Sequence, residues 1–238
     1  EVLAWLDPPP SLRLLEVGCG TGALTAAIAA RARPAQLTGV DPSEGFLSTA
    51  RGRLASSAAF RVANAVDLPF QDATMDIVVS GLVLNFVPDP AQGLAEMRRI
   101  AAAGGTIAAY VWDYAEKMEL IRYFWDAATT LDPNARALDE GIRFPLCRPE
   151  ALQRAFEQAG LADVDVVPID IATPFTSFDD YWRPFLGGQG PAPAYAMSLD
   201  EASRNRLRDR IRDRLPLQSN GSIDLVARAW AIRSRAPG

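Results

Sequence analysis

Short apolar runs alternate with amphipathic stretches along the first hundred residues. Runs at 12–17, 36–40, 60–63, 75–80 and 106–112 are rich in Leu, Val and Ile and are bounded by Gly, Pro, Asp or Asn. Runs of that length and composition read as strands buried on both faces. Helical patterns fall between them at 21–33, 42–54 and 90–102, the second showing Phe46, Leu47, Ala50 and Leu54 at helical spacing. Pro34 breaks the first helix, Pro42-Ser43-Glu44 opens the second with Ser43 as its cap, and Gly104-Gly105 ends the third. Strict strand–helix alternation predicts an α/β fold: a doubly wound parallel sheet with right-handed crossovers. Ligands of such sheets bind beyond the carboxyl ends of the strands.

The second half is less regular. A helix over 116–130 carries Leu120, Ile121, Phe124 and Trp125, Asp132-Pro133-Asn134 reads as a turn, and Pro149 opens a helix stopped by Gly160. A sixth strand over 163–172 and a seventh over 222–232 are separated by about fifty residues. That interruption holds Tyr181, Trp182 and Phe185, the stretch Gly187-Gly188-Gln189-Gly190, and an arginine-rich helix over 198–215. In the helix, Leu207, Ile211 and Leu215 make one apolar stripe, and Asp209 and Asp213 interrupt the arginines. The pattern predicts an ion-paired solvated helix packed by its stripe, rather than a membrane face. The chain reads as a single domain over 1–238.

Composition narrows the chemistry. The net charge is −5, so no basic footprint invites nucleic acid. Two cysteines, Cys19 and Cys147, make neither a disulfide framework nor a zinc site, and no metal is expected. No apolar run reaches the roughly 18 residues of a membrane span, so the chain reads as cytoplasmic, without stable membrane association. It begins at Glu1 inside a helical pattern (Val2, Leu3, Trp5, Leu6), which leads to the expectation that residues precede it.

The most informative segment is Leu14-Leu15-Glu16-Val17-Gly18-Cys19-Gly20-Thr21-Gly22. It reads as a strand, a glycine turn and a helix N-terminus, a cradle for a nucleotide-like ligand. No G-x-x-x-x-G-K-[ST] pattern occurs, and Lys117 is the only lysine, which excludes a phosphate-binding ATPase loop. Gly18, Gly20 and Ala23 satisfy a dinucleotide fingerprint loosely. Glu16 separates the two ligands: a carboxylate beside the turn repels a pyrophosphate and suits the ammonium and sulfonium of S-adenosylmethionine. Asp41 ends the next strand and can accept both hydroxyls of a ribose.

The blocks E-V-G-C-G-T-G, G-V-D-P-S, A-N-A-V-D-L-P-F and M-D-I-V-V-S-G-L-V-L-N-F-V-P-D-P stand in order within 12–112. In this the chain resembles the class I S-adenosylmethionine-dependent methyltransferases, and among them the small-molecule branch that includes the ubiquinone/menaquinone C-methyltransferases. The resemblance implies a Rossmann-like seven-stranded, mostly parallel sheet with an antiparallel edge strand and an inserted helical lid. It implies a cofactor-binding half over 1–112 and an acceptor half over 113–238, with an insertion at about 174–220. The methionine end of S-adenosylmethionine would lie over Gly18, Cys19, Gly20 and Gly22 beside Glu16. The ribose would rest on Asp41 with Pro42 and Ser43, and the adenine against Asn64, Ala65 and Val66. Ser80 and Leu82 would complete the site, and S-adenosylhomocysteine would be the product. Asn64 replaces the usual acid and can still accept from the adenine amino group.

Methyl transfer from a sulfonium is an in-line displacement, and holding the acceptor in line supplies most of the catalysis. A base is needed only where the acceptor loses a proton, and the chain has no histidine. Asn85, Asp113, Tyr114 and Tyr110, near strand ends, are the candidate catalytic residues. Asn85 stands where many relatives carry histidine and cannot act as a base, but it can orient an acceptor. The segment 175–195 is expected to be a mobile lid bringing Tyr181 and Trp182 to an apolar acceptor pocket. Its alternative is a fixed cap whose aromatics complete a core. The residues fix neither the small-molecule acceptor nor the oligomeric state. Two other functions compete: a non-catalytic S-adenosylmethionine sensor or partner module, and an NAD(P) oxidoreductase. The second lacks a Tyr-x-x-x-Lys pair, since Lys117 follows Asp113.

Overall fold

The computed structural model describes residues 1–54, 56–188 and 190–238; Gln189 of the expected flexible joint lies outside them. The strands are Arg13–Val17 (β1), Gln36–Asp41 (β2), Ala59–Val62 (β3), Met75–Gly81 (β4), Ala101–Trp112 (β5), Ala162–Phe175 (β6) and Ile223–Arg235 (β7). They form one sheet in the order β3-β2-β1-β4-β5-β7-β6. β1 pairs in parallel with β2 and β4, β2 with β3, and β4 with β5. β7 runs antiparallel to β5: Gly104 N donates to Ala236 O at one end, and Asp113 N to Arg228 O at the other. The order reverses between β1 and β4, which is the switch point of a doubly wound sheet.

The helices are Val2–Leu6 (α1), Ala23–Ala32 (α2), Glu44–Leu54 (α3), Pro90–Ile100 (α4), Glu119–Leu131 (α5), Glu140–Arg143 (α6), Pro149–Gln158 (α7), Phe178–Trp182 (α8), Pro191–Ser198 (α9) and Glu201–Arg212 (α10). The chain divides into two compact units, residues 1–111, 149–169 and 230–238, and residues 112–148 and 170–229. Among the described residues no helix is long and apolar enough to cross a membrane.

In the first unit Leu14, Ile28, Leu37, Ile77, Val79 and Ala108 share a core with Leu3 and Leu6 of α1. These are the apolar runs of the sequence, buried because helices cover them. Two expectations fail here. Gly104-Gly105 does not end α4: the helix stops at Ile100, and β5 begins at once with Ala101 in an extended conformation. The glycines instead absorb a bulge, since Met75 pairs with Ala101 but Ile77 pairs with Thr106. Gly104 has φ +70°, and a β-carbon on Gly105 would lie 2.8 Å from Ala102 O. Phe46 does not pack with Leu47 and Ala50 but is 53% exposed.

The second unit is held by aromatic packing. Phe124 stacks on Phe185 with centroids 4.6 Å apart and meets Trp125 edge-on at 5.1 Å. Phe178, Tyr181, Trp182 and Phe185 recur at three- and four-residue spacing, so α8 and the turn after it aim them at one core. Tyr181 is fully buried, and its hydroxyl donates to Leu120 O at 2.8 Å. Tyr181 and Trp182 therefore complete a helical core rather than line an apolar acceptor pocket. Leu207, Ile211 and Leu215 are buried, as the stripe on α10 required. Asp132 caps a 3-10 segment, Pro133–Leu138, where the sequence suggested a simple turn.

Candidate active site

The turn after β1 is built on three left-handed glycines: Gly18, Gly20 and Gly22 have φ of +79°, +53° and +87°. Gly18 N and Cys19 N both donate to Val40 O, at 2.8 and 2.9 Å, tying the turn to β2. A β-carbon on Gly22 would lie 2.8 Å from Leu54 Cδ1 of α3. One on Gly20 would meet nothing within 4 Å. Gly20 thus presents bare backbone to open space, the surface a ligand can approach. Cys19 points the other way, 2.9 Å from the β-carbon position of Gly39, and burial pushes its thiol up to about 12.

Two acids flank the turn. Asp41, 8% exposed, accepts from Gly20 N at 3.0 Å through Oδ2 and from Ser43 N at 2.8 Å through Oδ1. It fixes the turn and the start of α3 together, and each oxygen keeps a lone pair for a further donor. Ser43 Oγ accepts from Phe46 N, the expected cap, with exposed Pro42 before it. Glu16 is 2% exposed and accepts from Thr25 Oγ1 of α2. Burial pushes its carboxyl up to about 8, against the opposing pull of the Thr25 bond, and the charge of Asp41 adds to the rise.

The remaining cofactor candidates also stand at strand ends of the first unit. Asn64 accepts from Val66 N at 3.3 Å, forming a tight turn with Ala65 half-buried inside it. Ser80, at the end of β4, is buried with its Oγ lacking a hydrogen-bond partner among the described residues. Leu82 is held left-handed at φ +59°, a strained state for a bulky residue, by its N–H donating to Tyr110 O. Tyr110 Oη lies 2.5 Å from the β-carbon position of Gly81, so only glycine admits the ring there. Burial first, then the charge of Glu16, pushes the Tyr110 hydroxyl up to about 12. Asn85 sits in the 3-10 turn Leu84–Phe86, with its Nδ2 buried and without a hydrogen-bond partner among the described residues. The sequence did not point to Thr25 or Val83 as neighbours of the turn, and it marked Tyr110 only as a candidate at a strand end. Only three-dimensional contact identifies them.

Asp113 and Tyr114 belong to the second unit. Asp113 is 2% exposed; its Oδ1 accepts from Glu116 N at 3.0 Å, and its Oδ2 has no hydrogen-bond partner among the described residues. Burial raises its carboxyl above the usual range. Burial, then the charges of Cys147 and Glu140, raises the Tyr114 hydroxyl strongly, so it stays protonated near neutral pH. Arg122 anchors this stretch, donating to Tyr114 O and to both carboxylate oxygens of Asp139. Among the described residues no group of three or more His, Cys, Asp or Glu gathers as a metal site.

A switch point between β1 and β4, a glycine turn after β1 and an acid after β2 define a Rossmann-like fold. Residues 15–109 match the family model described as a methyltransferase domain, Methyltransf_11. Over that segment the chain is similar to that family. It is similar to demethylmenaquinone methyltransferase of Symbiobacterium thermophilum, 39% identical over 111 residues, 44% of each chain. It is also similar to trans-aconitate 2-methyltransferase of Variovorax paradoxus, 32% identical over 49% of this chain and 45% of that one. The chain spans about half the length of the curated relatives it matches. Among solved structures, YcgJ of Bacillus subtilis superposes with a TM-score of 0.64 at 19% identity, covering 100% of this chain and 98% of that one. Phosphoethanolamine N-methyltransferase 2 of Haemonchus contortus, in complex with S-adenosyl-L-methionine, gives 0.62 at 16% identity, over 100% of this chain and 52% of that one. At these identities the likeness is one of fold.

Proposed function

We propose that the chain transfers the methyl group of S-adenosylmethionine to a small-molecule acceptor. The observation that carries this is the open backbone of Gly20, locked by Asp41 and flanked by the buried acid Glu16. Gly18, Cys19, Gly20 and Gly22 take the methionine end, with Glu16 beside its ammonium. Asp41, Pro42 and Ser43 take the ribose, and Asn64, Ala65 and Val66 take the adenine. Ser80 and Leu82 complete the site from the end of β4. Residues 1–112 are the cofactor half and 113–238 the acceptor half, with the insertion at about 174–220.

When bound, the cofactor supplies an electrophilic methyl group on a sulfonium, a leaving group needing no assistance. The protein's part is to hold and orient. The free Nδ2 of Asn85 is a donor for an acceptor oxygen. Asp113, on the second unit, has an Oδ2 without a hydrogen-bond partner among the described residues and so carries a group able to accept a proton. Tyr114, neutral at physiological pH, serves as a donor and not as a base. Two relatives named for demethylmenaquinone and trans-aconitate support a small molecule as acceptor. The net charge of −5 argues against a nucleic-acid substrate.

Incubation with methyl-labelled S-adenosylmethionine and a panel of small quinols, carboxylates and amines tests the proposal. Label should pass to a member of the panel. Tight S-adenosylhomocysteine binding without transfer to any small molecule would instead favour a sensor.

A further inference from the structure

Among the described residues Glu16 is a buried acid that no basic side chain meets. Its carboxyl, 2% exposed at the end of β1, is hydrogen-bonded to the Thr25 hydroxyl of α2. The titratable groups that face it are Asp41 at the end of β2, Cys19 in the glycine turn and Tyr110 on β5. None of these can be a cation. Arg51 of α3 acts on the Cys19 thiol but is paired with Glu44 and is not among the groups acting on Glu16. An ionised Glu16 would therefore be a buried negative charge next to a second one, with a single hydroxyl to stabilise it. Such groups neutralise instead.

We propose that Glu16 carries a proton in the free protein and gives it up when the ammonium at the amino-acid end of the methyl donor arrives, so that cofactor binding expels one proton. This rests on the cofactor site proposed above. The carboxyl O–H bond breaks, the proton passes to buffer, and the carboxylate and ammonium become an ion pair. No electrons are transferred and no co-reactant is needed. With the free carboxyl titrating at about 8, proton release is nearly complete at pH 7 and falls to half near pH 8. Affinity should rise about tenfold per pH unit from 6 towards 8 and then level.

Titration calorimetry with S-adenosylhomocysteine at pH 7, in phosphate and in Tris, reads the proton directly. The heats should differ between buffers by the amount due to about one proton per site. 5′-Methylthioadenosine keeps the nucleoside thioether but lacks the ammonium, and its heat should not depend on buffer. Glu16→Gln should abolish the dependence. If that variant does not fold, Thr25→Val raises the carboxyl further and should leave more than half a proton released at pH 8. Saturable S-adenosylhomocysteine binding with equal heats in both buffers would overturn the proposal and leave the cofactor site standing. So would a buffer dependence that survives Glu16→Gln, appears equally with methylthioadenosine, or is unmoved at pH 8 by Thr25→Val. No binding of S-adenosylhomocysteine by folded protein would overturn the site assignment itself.

Discussion

The β-carbon that Gly18 lacks would fall 2.4 Å from Cγ1 of Val83, closer than two carbon atoms can come. The loop after β4 thus lies directly on the glycine turn, and Gly18 is required by contact as well as by its φ of +79°. Gly18→Ala should weaken S-adenosylhomocysteine binding at least tenfold by displacing either turn or loop. Val83→Ala in the same chain removes the two closest atoms and should restore part of the loss, since Cβ of Val83 at 2.8 Å and the left-handed strain of roughly 1–2 kcal/mol remain. Calorimetry on the three variants checks this. A double variant no better than Gly18→Ala would show that the contact is not the cause.

Asp41 holds Gly20 N and Ser43 N and is proposed to hold the ribose. Asp41→Ala should lose about 1.5–3 kcal/mol of cofactor binding, the usual value of hydrogen bonds to a charged group. Asp41→Asn, which keeps one acceptor oxygen, should lose less. An unchanged dissociation constant for Asp41→Ala would remove the ribose assignment.

Stability should fall with rising pH because of Glu16. The folded chain keeps this proton to about pH 8, whereas an unfolded glutamate releases it near 4.5. Between those values the folded state binds more protons, so its advantage is complete below 4.5 and shrinks by about 1.4 kcal/mol per pH unit through the window. Glu16→Gln has nothing to ionise. Its urea midpoint and that of the parent chain should lie close at pH 5 and separate towards pH 8, with the variant more stable. Midpoints that stay parallel across the range would contradict the burial of an uncompensated acid.

The aromatic core of the second unit makes a separate prediction. Tyr181→Phe removes the buried hydroxyl's bond to Leu120 O, which keeps its partner within α5, and should cost about 0.5–1.5 kcal/mol. Phe124→Ala, which empties the stack with Phe185, should cost about 3–5 kcal/mol. Amides of 178–186 should exchange slowly in the ligand-free protein. Rapid exchange there, slowed by cofactor and acceptor, would instead restore the mobile lid.

β1, β2 and β4 were legible because their apolar runs are buried, so composition marks them, whereas β3, an edge strand of mostly exposed residues, was legible only from its place in the strand–helix alternation. Glu16, Gly18, Gly20 and Asp41 were legible because the turn needs glycine and the flanking acids stand at fixed spacing from it. Gly104-Gly105 was not, because the same dipeptide stops a helix or absorbs a bulge, and the strand opposite decides which. Phe46 and Tyr181 show the same limit from opposite sides. Helical spacing groups residues on a face but does not say whether that face meets a core, solvent or a ligand. Thr25, Tyr110 and Val83 reach the turn from α2, β5 and the loop after β4, and nothing local in the chain announces contacts over such separations.

The central claim is that the Gly18–Gly22 turn with Glu16 and Asp41 binds S-adenosylmethionine. Titration of the folded chain with S-adenosylhomocysteine tests it most directly, because it needs no knowledge of the acceptor. Saturable binding of one molecule per chain is the predicted result, with NADH giving none. Absence of binding at millimolar S-adenosylhomocysteine by protein whose folding is verified would contradict it.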